Sequence, residues 1–264
     1  MFELVFVMII QNLVKTVLLA TVLTGLAQNA SAQTVIDAVP YTIASPGVYE
    51  LGKNLTFPSA LETGNAITIN ASNVTIDFNS FNISKLQSGK TPQCLGIYAL
   101  NRTNITVKNG SISGFYVGID FDYRSGMNLN ANHLVDGVRI TNPQAFGVLL
   151  TQATNCLIQN CVIVSTGFDS AGNTVSGSGV GIELSVSAAA ANALIGNRIA
   201  KSLQTGIQTG SGQAVGGTFL EGNLASKCPV GFALSQGDKY RNNITISCAT
   251  PFNANGAIDL GGNN

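Results

Sequence analysis

Charge is scarce in this chain. Only 10% of its residues are charged, and 13 Lys and Arg balance 13 Asp and Glu. Without a basic excess the composition gives no electrostatic reason for a nucleic-acid partner, which requires a cationic face. There is no Trp and a single His, His133. One His cannot build a His-rich metal site, so no metal site is assigned. Beyond Gln33 no apolar run approaches the ~20 residues that cross a bilayer as a helix. Long amphipathic helices are missing as well, because Gly and Asn interrupt every apolar stretch.

Those two residues are what the sequence has in quantity: 29 Gly and 27 Asn in 264 residues. Both tolerate left-handed backbone angles and mark turns. The start of the chain has the pattern of a secretory signal over residues 1–32. Lys15 supplies a positive charge, TVLLATVLTGL (Thr16–Leu26) an apolar run, and Ala30-Ser31-Ala32 a small-residue cleavage site before Gln33. Glu3 is out of place in such a signal, which leaves Met8 as an alternative initiator and a membrane anchor as the competing reading. The expectation is a secreted or periplasmic protein, monomeric, with no membrane attachment once the signal is removed. Export permits disulfides, and the five Cys (94, 156, 161, 228, 248) leave at least one unpaired within a monomer.

A repeat organises the rest. Gly followed by an apolar residue recurs at Gly96, Gly118, Gly147, Gly181, Gly206, Gly231 and Gly256, at spacings of 22, 29, 34, 25, 25 and 25. Between these marks run NVTIDFN, NITVKN, NCLIQN, NALIGN and TFLEGN, each closing on Asn and followed by a second short apolar stretch. Such segments are too short for helices and rich in Ile, Val and Thr, as strands are. A unit of three strands in about 25 residues cannot bury its own apolar face, but stacked copies can. The pattern predicts an all-β solenoid of three parallel sheets with about seven or eight coils. Its corners need Asn, and a stack of corner amides, Asn109, Asn160, Asn197 and Asn223, would satisfy one another. On this reading Asn155 and Asn160 are turn positions of one coil. Cys156 and Cys161 are then spaced by the coil rather than by a ligand geometry.

NASNVTIDFNSFNI and RTNITVKNGSISGF, followed by the Gly-apolar rhythm and the closing KYRNNITISC, resemble the right-handed parallel β-helix superfamily, the pectate-lyase-like fold. The resemblance covers roughly 41–264. It implies a cap over residues 33–62, opening with YTIASPGVYELGKNLTF, and a β-helix domain over residues 63–264. For function it implies carbohydrate as ligand and little more, because this fold serves many activities. Aligned on Asn223 and Asn243, Cys228 and Cys248 fall one above the other in neighbouring coils. That spacing suits a disulfide stapling the end coil, with two free thiols as the alternative.

Polysaccharide-active members of that superfamily carry their chemistry on the outer face of one sheet. Residues after the repeat Gly point inward, so alternation puts the next ones outward. This face gathers Asp120, Asp122 and Glu183 as candidate catalytic acids, with Tyr98, Tyr123 and Arg124 as candidate substrate-binding groups. Asp120 and Asp122 would lie about 6.5–7 Å apart, at the lower edge of the window for an inverting glycoside hydrolase. A Ca²⁺ or sugar-binding site, or a solvated acidic patch, fits the same residues. Departures from the enzymes of the superfamily are clear. No Gly-His-Gly, Arg-x-Lys or Tyr-Gly-x-Asp-Pro-His motif is present, and His133, aligned with Cys156 of the next coil, reads as scaffold. Two function classes therefore stand: an exported protein binding or modifying polysaccharide, and a non-catalytic β-helix for envelope structure or adhesion.

Overall fold

The computed structural model describes residues 33–264 except 87–92, 125–129, 170, 176–177, 186–190 and 211–216; the proposed signal lies outside the described residues. Every strand pairing in the regular ladders is parallel, as a stacked solenoid requires. One face is a nine-stranded sheet running from Tyr41–Ile43 through Gln93–Leu100, Val117–Asp122, Phe146–Thr151, Val180–Ser185 and Thr205–Thr209 to Thr250–Asn253. The other two faces form a single 16-stranded sheet. They fuse because Ile105–Ser113 and Leu134–Thr141 run through the corner between them unbroken, whereas later coils split there into pairs such as Leu157–Gln159 and Val162–Val164. We call these faces the first limb (Val74–Asp77 to Ile258–Asp259) and the second limb (Asn82–Lys85 to Ile244–Ile246).

The interior is a continuous apolar column. Ile67, Ile97, Ile119, Val148, Ile182, Ile207 and Phe232 are fully buried, in register along the nine-stranded sheet. The repeat Gly stand in register along the nine-stranded sheet from Gly96 to Gly231. A Cβ added at Gly147 or Gly181 would lie 2.5 Å from the carbonyl oxygen of the next Gly and about as close to Ile163 or Ile199 of the facing sheet. The spacing of these Gly therefore records a close approach between coils. Gly256 is not a member of this column. Thr250 pairs Val230, which puts Pro251 in the Gly position, and Gly256 is instead a turn residue with φ of 83°.

The Asn corner divides into two columns one residue apart. Asn109, Gly137, Asn160, Gly196, Gly222 and Asn242 hold the left-handed corner, all with φ between 54° and 64°. Asn109 and Asn160 thus point outward, their amides 3.3 and 3.1 Å from Asp77 and Asp136. The buried ladder is the next column: Asn197, Asn223, Asn243 and Asn263. There Nδ2 of Asn197, Asn223 and Asn243 reaches Oδ1 of the following Asn at 2.9–3.1 Å. The four-residue ladder read from the sequence is therefore corrected: Asn197 and Asn223 belong to it, and Asn109 and Asn160 do not. Cys161 occupies the ladder position in its coil, and its backbone N–H donates to Asn197 at 3.1 Å.

Cys228 and Cys248 are neighbours in adjacent coils, since Ser226 pairs Ile246, but both are free thiols. The expected disulfide is not formed. Cys228 Sγ donates to Ser226 O of its own coil at 3.3 Å, and Cys248 Sγ lies against Ala225 O at 3.6 Å.

Candidate functional site

The register places the sequence-derived acids where alternation put them. Asp120 pairs Tyr98 on one side and Leu149 on the other, and Leu149 pairs Glu183. Asp122 lies two residues along the same strand, level with Leu100. The row along the coil axis is therefore Tyr98, Asp120, Leu149, Glu183, Gln208. Leu149 separates Asp120 from Glu183, which stand two coils apart, about 9.5 Å.

Burial was not legible from the pattern. Asp120 is 9% exposed and Glu183 7%, although both sit on the face alternation assigns to solvent. One oxygen of Asp120, Oδ1, is buried without a hydrogen-bond partner among the described residues. Burial first, and then the neighbouring Asp122 carboxylate, push the Asp120 pKa up to about 7. Asp122 is half-buried and held. Its Oδ1 accepts the Tyr123 backbone N–H at 2.8 Å and its Oδ2 the Tyr98 hydroxyl at 3.3 Å. Burial, and then the two carboxylates beside it, raise the Tyr98 phenol to about 12. Tyr98 is thus a neutral donor at the lip of the acid pair.

Of the other sequence candidates, Tyr123 is half-buried at the strand end and Arg124 is exposed. Two Asn that the sequence did not single out anchor this end. Asn101, at φ of 51° and 2% exposed, accepts the Arg124 N–H at 2.9 Å and donates to the Arg124 carbonyl at 3.3 Å. Asn130 donates to Phe121 O at 2.8 Å and Thr151 O at 2.9 Å, tying two adjacent strands of the site. Its Oδ1 meets His133 Nε2 at 2.7 Å.

His133 is scaffold. It packs on Phe121 with ring centroids 4.4 Å apart, its Nδ1 accepts the Ile105 N–H at 3.3 Å, and burial lowers its pKa to about 4. Cys156 stacks on it in register, the His133 N–H reaching Sγ at 3.4 Å. Burial raises the thiols of Cys156 and Cys161 to about 11 and about 12. No group of three His, Cys, Asp or Glu that could hold a metal ion occurs among the described residues.

Among solved structures the chain is similar to a tailspike protein of E. coli bacteriophage HK620, at 13% identity and a TM-score of 0.55 over 86% of this chain and 41% of that one. It is similar to an alginate lyase from Paenibacillus sp. str. FPU-7, at 13% identity and a TM-score of 0.52 over 88% of this chain and 89% of that one. A rhamnogalacturonan lyase matches at 14% identity and a TM-score of 0.52, over 78% of this chain and 60% of that one. The chain thus spans about two fifths of the tailspike. At these identities the likeness is one of fold, the right-handed β-helix. A search of curated protein sequences finds no match.

A family model described as "Periplasmic copper-binding protein (NosD)" matches residues 48–246. Copper favours thiolate, thioether and imidazole donors. The described residues do not gather such donors: no three His, Cys, Asp or Glu lie together, and both nitrogens of His133 are engaged inside the protein. The buried Cys156 and Cys161 thiols resist the deprotonation that metal binding needs. No step through copper follows from this geometry. The match over three quarters of the chain settles kinship without settling ligand: the protein belongs to the NosD family.

Proposed function

We propose that this protein is exported and binds polysaccharide along the outer face of the nine-stranded sheet, with Asp120 and Asp122 as an acid–base pair. The observation that carries the reading is Asp120 itself. It is a nearly buried carboxyl with one oxygen unpartnered, poised near pH 7, beside a second carboxylate that is held by Tyr98 and Tyr123. A carboxyl still protonated near neutrality can give its proton to a leaving glycosidic oxygen, while Asp122 draws one from water. Their separation of about 6.5–7 Å, two residues along one strand, is at the lower edge of the range that leaves room for that water. The Tyr98 oxygen, its proton directed at Asp122, would accept from a sugar hydroxyl. The family's description as periplasmic supports export, and the alginate and rhamnogalacturonan lyases with this fold support a saccharide ligand.

The low exposure of Asp120 favours a second reading, a non-catalytic β-helix of the cell envelope in which the carboxyl is structural. Digestion of a panel of polysaccharides by the protein from Gln33 onward, with and without Ca²⁺, separates them. Product release that disappears in Asp120→Asn and in Asp122→Asn establishes the acid–base pair. Binding without turnover leaves a saccharide-binding scaffold, and neither binding nor turnover leaves the envelope reading.

A further inference from the structure

The composition is neutral, but the charge is not evenly spread over the faces. On the second limb and the corner that closes it, the outward positions among the described residues hold Arg139, Arg198, Lys201 and Lys227, and no Asp or Glu. All four are exposed, and none has a carboxylate partner among the described residues. Asp169 lies beyond this corner, but its carboxylate is taken by the N–H groups of Ala171 and Asn173 and by the Asn173 amide.

The register sets the spacing. Arg139 pairs Val162, and Val162 pairs Arg198, so the two guanidinium-bearing positions stand two coil steps apart, about 9.5 Å. Lys201 and Lys227 follow paired residues, Ala200 and Ser226, and so sit one coil step apart. Like charges directly opposite on neighbouring strands repel. Among the described residues no carboxylate on the limb offsets this repulsion. At the Arg139 end the limb opens into a shallow polar cleft of about 490 Å³, lined by Asp77, Ser80, Asn109, Ser111 and Arg139. The cleft exists because Gly137 carries no side chain there and because the longer first corner overhangs it, Ser80 N–H donating to Asn109 O at 2.8 Å. Asp77 is already neutralised by Lys108 at 3.1 Å, which leaves Arg139 as the uncompensated charge of the lining.

We infer that the second limb is a docking track for an acidic polysaccharide. Arg139 and Arg198 would engage carboxylate or sulfate groups on alternate sugars, and the Ser80, Ser111 and Asn109 polar groups would take ring hydroxyls in the cleft. A guanidinium fork matches either anion bidentately. The described outward residues of this limb include no aromatic ring, so single-stranded nucleic acid would find no stacking platform. This track lies on a different face from Asp120 and does not depend on the acid–base pair.

The test is affinity electrophoresis and calorimetry with polygalacturonate, a sulfated glycan, a neutral glucan and anionic phospholipid vesicles. The proteins compared are the parent, Arg139→Gln/Arg198→Gln, and Lys239→Gln on the first limb as a charge-loss control. The expected result is binding to polygalacturonate or the sulfated glycan that weakens at least about tenfold in the double variant and steeply with salt. Lys239→Gln should leave it unchanged. The polygalacturonate and sulfated-glycan arms tell carboxylate from sulfate. Equal affinity of parent and double variant, equal binding of the neutral glucan, or binding of vesicles alone through the exposed Ile244 and Ile246 of the same limb overturns the inference. Unchanged circular dichroism of the double variant, whose replaced side chains are exposed, keeps loss of binding distinct from loss of fold.

Discussion

Replacing Asn223 by Ala should unravel the corner ladder, and the structure sets the size of the effect. The Asn223 side chain donates to Leu194 O at 2.8 Å and to Asn243 Oδ1 at 2.9 Å, and its Oδ1 accepts both N–H groups of Asn197 at 3.0 Å. Truncation leaves one buried backbone group, the Asn197 N–H, without a partner, since Leu194 O keeps the ladder bond that its strand makes to Phe219–Glu221. The cost is about 1–3 kcal/mol, a sizeable share of the ~5–15 kcal/mol that holds a domain together. The contrasting substitution is Asn160→Gly. Asn160 sits at φ of 54° with an outward amide, so Gly fits its backbone and the change should stay within about 0.5 kcal/mol. Urea denaturation compares the two. Because a solenoid can open locally, amide hydrogen exchange at Asn197 and Leu224 should report the Asn223 loss even where the global transition mutes it. A cost below about 1 kcal/mol for Asn223→Ala, or an equal cost for Asn160→Gly, would refute the division of the corner into two columns.

Other outcomes follow from the same packing and hydrogen bonding. Gly181→Ala puts a Cβ 2.5 Å from Gly206 O and Ile199 Cγ2. It should cost about 1–3 kcal/mol or more. Gly222→Ala, with open space but φ of 64°, should cost about 1 kcal/mol through backbone strain alone; thermal melts rank them. The pH dependence has two opposed parts. Asp120, raised from 3.8 to about 7, holds a proton in the fold that the unfolded chain has lost, so stability falls as pH rises from about 4 to about 7. His133, lowered from 6.5 to about 4, contributes stability present above pH 6.5 and lost as pH falls toward 4. Each is worth about 3–4 kcal/mol. Asp120→Asn should therefore expose the His133 slope below pH 6.5 and stabilise the protein at pH 8, and an unchanged stability–pH curve would contradict the burial argument. Maleimide labelling of the native protein should modify Cys248 first, because Cys94, Cys156, Cys161 and Cys228 are buried. Rapid labelling of Cys161 would contradict its place in the ladder.

The fold was legible because its cause is periodic. The Gly column and the corner Asn recur once per coil, and each answers to a local constraint that a single sequence displays. The errors have a common origin. Aligning on Asn merged two corner columns, because the left-handed residue is Asn in the coils of Asn109 and Asn160 but Gly in those of Gly196 and Gly222, where Asn shifts to the next position. Register brought Cys228 and Cys248 together but said nothing of where their sulfurs turn. The acid row was placed correctly by alternation, yet alternation assumes an open outer face, and Asp120 and Glu183 are buried on it. The basic limb was hidden for another reason: Arg139, Arg198 and Lys227 are far apart in sequence, and a neutral total conceals a segregated surface.

The connections between strands differ sharply from corner to corner. On the carboxyl side of the nine-stranded sheet, residues 101–104 and 254–257 suffice to reach the first limb in two coils, whereas residues 123–133, 186–192 and 210–218 make the same step in three others. The Asn ladder settles into an interval of 20 residues between Asn223, Asn243 and Asn263, the irreducible length of one coil. Everything beyond that length is freight, and part of it departs from the edge at which the strands ending in Asp122 and Ser185 stop. A protein built this way can change what it presents at that edge without renegotiating its interior, since each coil closes on its neighbours whatever length of chain departs from it.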